Sequence, residues 1–263
     1  MKKFLLAGVA SIALLAGAPA QAADLGTRPT YKAPPAVVPV PLFTWTGCYI
    51  GAHIGGGWGR KDWSNAPPVH NIDFDDSRTV HDDVSGILGG GQIGCDYQFA
   101  PNWVVGIEGS GSASGISGGV TDPFGGGKSL HARTDWLASV TARVGWAWDR
   151  WLIYAKGGVA WAGDKYHAFD ANECCGGYAF DASETRTGWT AGGGVAWAFA
   201  PNWSAFLEYD FYGLGGRNVA FSVPPARGGI FHAHITEDIN VVKFGINWRF
   251  GWGKGKAPVV AKY

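Results

Sequence analysis

The sequence predicts an all-β fold, a closed eight-stranded antiparallel up-and-down transmembrane β-barrel. Three observations predict this class. Only 16% of the 263 residues are charged while 14% are aromatic, which leaves too few charges to cover an ordinary water-facing surface. Apolar and polar residues alternate with period two in segments of about ten to thirteen residues, as in strands with one lipid-facing side. Short and long connections between these segments alternate, as they do in up-and-down membrane barrels.

The first element is a predicted secretory signal, residues 1–22. An apolar run at 4–18 follows two lysines and ends before Ala-Gln-Ala at 20–22, the small-x-small pattern that signal peptidase cuts. No other run approaches the roughly 20 apolar residues of a spanning helix, which argues against a bundle of membrane helices. Without the signal the chain has 19 basic and 21 acidic residues. That balance excludes a typical nucleic-acid binder, which needs a basic surface.

The mature chain is predicted to begin with an arm and to end with a tail. Residues 23–44 contain five prolines and little periodicity, so they are predicted to form an extended, Pro-rich periplasmic arm. The barrel is predicted over 45–250. Residues 251–263 form a basic tail with three lysines, which hangs in the periplasm if Phe250 is the end of the barrel. The alternative is that Tyr263 is the terminal aromatic residue.

Eight alternating segments are the predicted strands. Three short connections hold Pro-Asn or Asp-Arg pairs, which suit tight reversals between antiparallel strands, and they are assigned to the periplasmic side. Four long connections are rich in Asp, His, Pro and Gly and are predicted to be extracellular loops, at 59–84, 113–132, 164–186 and 213–238. The strands are predicted near 46–58, 85–98, 103–112, 133–148, 151–163, 187–199, 203–212 and 239–250.

Strand parity separates a lipid-facing side from a lumen-facing side. In the last strand Val242 and Phe244 flank Lys243, and an Arg or Lys facing lipid at mid-bilayer costs about 2–4 kcal/mol. The charged parity is therefore predicted to face the lumen. Eight strands leave an interior just wide enough for side chains, and an unpaired buried charge is costly, so we expect ion pairs that plug the lumen. A narrow ion-selective pore is the alternative. The predicted lumenal charges are Asp96, Glu108, Asp135, Arg143, Lys156, Glu208, Asp210, Lys243 and Arg249, beside His53 and Gln92.

Tryptophans gather toward both ends of the predicted strands. Membrane interfaces select such aromatic girdles, whereas a soluble sandwich does not require them. This placement assigns the apolar parity to lipid. The predicted girdle residues are Trp45, Trp103, Trp148, Trp151, Trp203 and Trp248 at the short-turn ends and Trp58, Trp136, Trp161 and Trp189 toward the long loops.

The four cysteines enter an oxidising compartment, where disulfides are allowed. Cys48 and Cys95 share the outward parity on adjacent predicted strands, which predicts a cross-strand disulfide. Cys174 and Cys175 are adjacent in the third long loop. They are expected either to close on each other or to remain reduced.

No catalytic residue, metal site or cofactor is predicted. Most histidines fall in predicted loops, and none forms a recognisable pair with a strand-borne serine. The spacing of His232 and His234 lacks a third ligand. Acidic residues at 73–76 and 82–83 are interpreted as a solvated loop, with a divalent-cation site near lipopolysaccharide phosphates as the alternative.

Several motifs carry a resemblance to a known family. Asp24-Leu25, the Pro-rich arm, the segment from Trp45 to Gly51, the Gly-rich strand ends and the segment from Asn247 to Phe250 resemble the small outer-membrane barrels of alphaproteobacteria. These are surface antigens related to the membrane domain of outer-membrane protein A. The resemblance implies a monomeric barrel that supports envelope integrity and contacts lipopolysaccharide, sometimes described as porin-like. Members commonly end on a terminal aromatic residue that the barrel-assembly machinery is thought to read, and the 251–263 tail departs from that pattern.

We therefore expect an integral outer-membrane protein with no catalytic role. Its expected partners are outer-membrane lipids, lipopolysaccharide and, during biogenesis, the barrel-assembly machinery. A small nonspecific porin is the first alternative, and a surface adhesin or receptor that acts through its extracellular loops is the second.

Overall fold

The computed structural model describes residues 43–65, 80–121, 128–170, 178–222 and 230–250. The predicted signal and tail, nearly all of the predicted arm, and Cys174 and Cys175 lie outside these residues. Eight strands form a closed barrel in which each strand pairs with its neighbours in the chain and β8 closes on β1, which confirms the predicted fold class. The strands are β1 Gly47–Asn65, β2 Val80–Gln98, β3 Trp103–Thr121, β4 Lys128–Trp148, β5 Trp151–Asp170, β6 Tyr178–Ala200, β7 Trp203–Ser222 and β8 Ile230–Phe250.

The strands are longer than the sequence predicted. Their short-turn ends lie where the alternation begins, but their other ends continue well into the predicted long loops, so those loop boundaries were wrong. β5 has 20 residues. With a rise of about 3.3 Å per residue and a tilt of about 40°, it spans about 50 Å along the barrel axis. The apolar band of outer-membrane barrels is only about 25 Å tall. About half of the barrel therefore protrudes into water, where alternation of hydrophobicity fades although backbone pairing continues.

The outward side chains mark where the lipid-facing band ends. Trp58, Trp136 and Trp189 are exposed on the outer face, and the next outward residues along their strands are polar. Arg60 follows Trp58, and Lys165 lies beyond Trp161 on β5; both are exposed. We call the strand segments on the long-loop side of these tryptophans the upper barrel. Within the described residues, no helix is long and apolar enough to cross a membrane.

The structure changes one assignment in the predicted girdles. Trp45 is fully buried and lies inside the short-turn end of the barrel, because it precedes β1 and turns inward. Trp161 has the predicted outward parity and is partly exposed. The outward, exposed tryptophans include two that were not predicted, Trp146 and Trp197, together with Trp58, Trp103, Trp136, Trp148, Trp151, Trp189, Trp203 and Trp248.

Asp135 does not face the lumen as predicted. The register of β4 against β5 shifts between Thr134 and Trp136, and this bulge adds one residue that reverses the parity on which the prediction depended. The Asp135 side chain lies 26% exposed beside Arg133 and Lys165, whose nitrogens are 2.9 and 2.6 Å from its carboxylate oxygens. Thr134 takes the buried inner position instead.

The longest interruption of backbone pairing between the described strands lies between β6 and β7; the β2–β3 ladder also stops early, at Ser85 and Ser117. Within the described residues, pairing of β6 and β7 ends at Trp189 and Gly213. Above that level β6 pairs with β5 up to Tyr178, and β7 pairs with β8 up to Ser222. The break begins at a register shift beside Gly215, whose φ of 66° favours glycine. We call the gap between residues 178–188 of β6 and 214–222 of β7 the seam.

Candidate functional site

The lower half of the lumen holds eight charged side chains, which we call the lower cluster. Six strands contribute them, and four are cationic and four anionic. Each belongs to a buried residue with at most 7% exposure. The lower cluster consists of Asp96, Glu108, Arg143, Lys156, Glu208, Asp210, Lys243 and Arg249. The structure therefore brings together eight of the nine charges predicted for the lumen, Asp135 being the exception.

Asp96 anchors the periplasmic side of the lower cluster. Arg143 approaches it with two nitrogens, and its Nε donates to Asp96 Oδ1 at 2.7 Å. Arg249 Nη2 donates to the other carboxylate oxygen, also at 2.7 Å. A Cβ atom at Gly106 would overlap Asp96 Oδ1, so this glycine provides the space for the carboxylate. The two arginines hold one carboxylate in the fork geometry that gives strong charge-assisted hydrogen bonds.

Two glutamates form the centre of the lower cluster. Lys156 Nζ lies 3.1 Å from Glu108 Oε1 and 2.6 Å from Glu208 Oε1, so one ammonium group bridges both. Each glutamate also accepts a tyrosine hydroxyl, Tyr49 on Glu108 at 2.6 Å and Tyr154 on Glu208 at 2.8 Å. Lys243 completes the cluster by contacting Glu208 and Asp210. Opposite charges and hydroxyl donors together satisfy groups that would be costly to bury alone.

The segment before β1 closes the periplasmic end. Trp45 donates its indole N–H to the Asp149 carbonyl at 3.3 Å, and its own carbonyl accepts from Arg249 at 2.8 Å. The Arg249 guanidinium lies 4.5 Å from the centre of the Trp45 ring, within cation–π range. Phe43 packs edge-on against Trp45. Trp45 is thus part of the lumen filling rather than the girdle.

A polar chain lies above the lower cluster, at His53. Asn247 Oδ1 accepts from Gln92 Nε2 at 2.6 Å, so Gln92 Oε1 faces His53 Nδ1, also at 2.6 Å. An amide oxygen only accepts, so His53 carries its proton on Nδ1, and Nε2 accepts from the Ser112 hydroxyl at 2.7 Å. The expectation that no histidine pairs with a strand-borne serine was wrong, because partners on β1 and β3 cannot be matched without the register.

An apolar layer separates this polar level from the upper barrel. It fills the lumen with aliphatic side chains from most strands, including Leu88, Ile116, Leu137 and Ile239, all at most 5% exposed. Among the described residues six of the eight strands contribute to it. On β1 this height is taken by Gly57, and Ile116 occupies the space of the missing side chain. Water entering from either end meets a tightly packed apolar section.

A second group of buried charges, which we call the upper cluster, lies above the apolar layer. Lys61 Nζ contacts Asp164 Oδ1 and Glu237 Oε1, each at 3.0 Å. Arg186 Nε lies 3.4 Å from Asp164 Oδ2 and donates through Nη1 to the Ile235 carbonyl at 2.9 Å. These four residues are at most 1% exposed. A fifth member, Asp82, is equally buried, and its Oδ2 has no hydrogen-bond partner among the described residues.

The upper cluster was not predicted from the sequence, because its residues fall in the predicted long loops. The signal that could have found them is the alternation of buried and exposed positions, which continues on the long-loop side of the tryptophans. On β1, for example, Lys61 and Trp63 are both buried. The upper cluster has two cations and three carboxylates, so it differs from the lower cluster in charge balance. Burial raises the pKa of Glu237 to about 7. Burial opposes ionisation of Asp164 as well, but the charge of Lys61 and the hydrogen bonds with Lys61, Thr134 and Glu237 together outweigh it and lower the pKa of that carboxyl.

The structure joins Cys48 and Cys95 in a disulfide between directly paired residues of β1 and β2, on the outer face. The His232 side chain lies outside the described residues, while His234 Nδ1 is 2.7 Å from Asn218 Oδ1. Among the described residues, no three His, Cys, Asp or Glu side chains are grouped so that they could hold a metal ion.

The chain was compared with known proteins. Residues 9–250 match the family described as outer membrane protein beta-barrel domain. The 31 kDa outer-membrane immunogenic protein of Brucella melitensis is 29% identical over 251 residues, which cover 92% of this chain and 98% of that protein. The 25 kDa outer-membrane immunogenic protein of Brucella abortus is 27% identical over 92% of this chain and 96% of its own. The outer membrane protease OmpT of Escherichia coli has a similar fold, with a TM-score of 0.50 and 9% identity over 79% of this chain and 98% of its own.

Proposed function

Because this chain belongs to the outer membrane protein β-barrel domain family and is an outer-membrane protein, we propose that it is a non-catalytic structural protein of the envelope. In this proposal its lumen is closed and its outer surface contacts lipopolysaccharide. Its relatives carry names of surface antigens rather than of enzymes. The likeness to a protease, at 9% identity, concerns the fold alone.

The closure of the lumen rests on one observation above all, the balanced and fully buried lower cluster. The lower cluster has four cations and four carboxylates. Lys156 bridges its two glutamates, at 3.1 and 2.6 Å, and these contacts leave no room for a hydrated ion. Trp45 fills the space below, and the apolar layer fills the space above. An ion crossing the barrel would have to break these pairs and wet the apolar layer.

Planar-bilayer recording tests this closure. The purified wild-type protein is expected to show no large, stable conductance steps. The double variant Trp45→Ala/Arg143→Ala is expected to conduct more. It removes the indole that fills the lumen at the short-turn end and one cation of the lower cluster. Gel mobility with and without boiling identifies folded protein in both samples. Large, stable steps from the folded wild-type barrel would replace the closed lumen with a porin function.

Contact with lipopolysaccharide is supported by the edge of the apolar band. Exposed Trp136 marks the upper edge on β4, and just above it Arg133 and Lys165 expose 60% and 58% of their side chains. Lipid A carries phosphates at this height, and cations at a membrane surface attract them. Proteoliposomes with and without lipopolysaccharide test the contact. Lipopolysaccharide is expected to raise the unfolding temperature of the wild type more than that of Arg133→Met/Lys165→Met; equal shifts would contradict the contact.

The absence of catalysis is the third part of the proposal. The Ser112 hydroxyl and His53 lie between the lower cluster and the apolar layer, where their hydrogen bonds order the lumen. Lipid A isolated from cells with and without the protein tests this part. We expect identical acyl chains in the two preparations, and a reproducible difference would show that the protein is an enzyme.

A further inference from the structure

We propose that the seam between β6 and β7 is a docking site for an extended polypeptide strand supplied by a partner outside the cell. The proposal is independent of lumen closure and lipopolysaccharide contact. It concerns the upper barrel, where two strand edges that should pair with each other do not.

The unpaired edges are long. Pairing of β6 with β7 ends at Trp189 and Gly213, which leaves residues 178–188 and 214–222 each paired on one side only. The ladders of β1 reach much further up, as far as Trp63 with β2 and Asn65 with β8. The β2–β3 ladder ends at Ser85 and Ser117 and leaves shorter unpaired edges, 80–84 and 118–121. A strand edge presents rows of free N–H and C=O groups, and these groups are the template that an added strand recognises.

The inner face of β7 is open to solvent at the seam. Arg217 lies opposite Ile235 in the ladder with β8, and Ile235 is fully buried in the lumen. Arg217 shares that inward parity, yet half of its side chain is exposed. Residues 215–218 are all exposed, so the alternation of the strand is lost. Val219, the next residue of the same parity, is buried, so the solvent-exposed stretch of β7 is confined to residues 215–218.

Two polar contacts span the seam among the side chains that the structure describes. Arg217 Nη1 lies 3.1 Å from Glu184 Oε1, and Arg186 reaches the Gly215 carbonyl at 3.4 Å. An exposed ion pair contributes only about 0–1 kcal/mol. A strand that supplies backbone hydrogen bonds to the edge, and a cation to Glu184, can therefore displace Arg217 at little cost.

The occupant must come from another molecule. The chain segments next to the seam, 171–177 and 223–229, have seven residues each and already connect β5 to β6 and β7 to β8. A strand that pairs along the whole 11-residue edge of β6 is longer than either segment. The two chain termini leave from the opposite end of the barrel, where β1 begins and β8 ends. The edge lies above the tryptophans, so it is reached from water outside the cell.

The side chains along β6 define the partner strand. The outward positions of this edge are polar, at Asp181, Ser183, Thr185 and Thr187. The inward positions include Glu184, which would pair with a cation of the partner strand in place of Arg217. The strand that fits is therefore extended, polar on its outer side, with one Arg or Lys among small or apolar residues on its inner side.

A synthetic peptide provides the probe. Residues 214–222, Leu-Gly-Gly-Arg-Asn-Val-Ala-Phe-Ser, would pair with β6 in a fully closed barrel, so a peptide of this sequence carries the expected pattern. Binding is measured by fluorescence anisotropy with the full-length protein in detergent micelles. A peptide N-methylated at alternate residues keeps the same side chains but loses backbone donors, and we expect it to bind about tenfold more weakly or worse. Equal affinity of the two peptides, or no binding of either, would overturn the proposal.

A cross-linked variant locates the site. Ser183→Cys/Asn218→Cys, at the exposed neighbours of Glu184 and Arg217 on the two edges, is expected to lose peptide binding when oxidised and to recover it in reductant. The matched control is Arg60→Cys/Asp83→Cys, which joins directly paired residues of β1 and β2 in an uninterrupted ladder, and it is expected to bind like the wild type in both states. The wild type under the same two conditions accounts for reduction of Cys48–Cys95. Loss of binding in the β1–β2 control, or undiminished binding in the oxidised seam variant, would place the peptide elsewhere.

Discussion

The lower and upper clusters bury charge to the same extent but differ in balance and in the wall around them. The lower cluster has four cations and four carboxylates and lies behind complete ladders in the lipid-facing half of the barrel. The upper cluster has two cations and three carboxylates, lies in the water-exposed half and borders the seam. The comparison indicates that the lower cluster stabilises the whole barrel. The upper cluster lies in a part of the barrel that opens more easily and whose stability depends on pH.

The largest effect is expected from Arg143→Met. In the wild type Arg143 contacts both Asp96 and Glu108. The substitution removes this shared cation, and the surrounding lipid offers no water to replace it. Loss of one partner from a buried ion pair costs about 3–5 kcal/mol. Urea unfolding followed by gel mobility of unboiled samples measures the loss. Arg133→Met, whose side chain is 60% exposed, is the matched control, and comparable losses in the two variants would contradict a special role for the lower cluster.

A smaller effect is expected from Lys61→Met in the upper cluster. Lys61 is fully buried, but the carboxyl groups that it leaves can take up protons instead of remaining charged. The expected loss is about 1–3 kcal/mol, the range for an unsatisfied buried group. Hydrogen exchange is expected to increase mainly in the upper barrel while the lower strands stay protected. A global loss as large as that of Arg143→Met would remove the distinction between the clusters.

The pH dependence of the upper barrel follows from Glu237. Burial raises its pKa to about 7 from an ordinary 4.5, so between these values the folded protein binds more protons than the unfolded one, and stability falls as pH rises through this window. Lys61 and Arg186, with Asp164 and Thr134, surround it. Protection of upper-barrel amides, corrected for intrinsic exchange, is expected to be lower near pH 8 than near pH 5.

The variant Glu237→Gln isolates that dependence. It keeps the size of the side chain but cannot titrate, so the difference in protection between the two pH values is expected to shrink. The Arg143→Met variant keeps Glu237 and is expected to retain the difference in its upper barrel. If Glu237→Gln keeps the full difference, another group is responsible.

The comparison also shows what the sequence could predict. The lower cluster was found from parity alone, because lipid on one side of the wall makes the alternation of Lys243 with Val242 and Phe244 unambiguous. Lys61 and Asp164 were missed, because polar residues occupy both faces of a strand in water. Asp135 was misplaced by one bulge, and Trp45 by a segment that turns into the lumen. Such features depend on register and on contacts between distant strands.

Hydrogen bonds across the lumen could not be predicted from the sequence for the same reason. His53 and Ser112 are 59 positions apart, and no local pattern shows that β1 and β3 bring them to the same height. The unpaired edges at the seam were equally hidden, since residues 178–186 and 214–222 fall in predicted loops. What the sequence does specify is the side of the wall on which a residue lies where lipid is present.

The smallest effect is expected from Lys165→Met, which provides the baseline for both clusters. Its Nζ lies 2.6 Å from Asp135 Oδ2, a shorter separation than several within the lumen, yet its side chain is 58% exposed. Water screens such a pair and solvates the carboxylate that remains, so the expected loss in urea unfolding is below about 1 kcal/mol. If distance alone determined the energy, this variant would match Arg143→Met. A loss of that size would show that the ranking of the three ion-pair sites does not follow burial, and the distinction between lower and upper clusters would then need another cause.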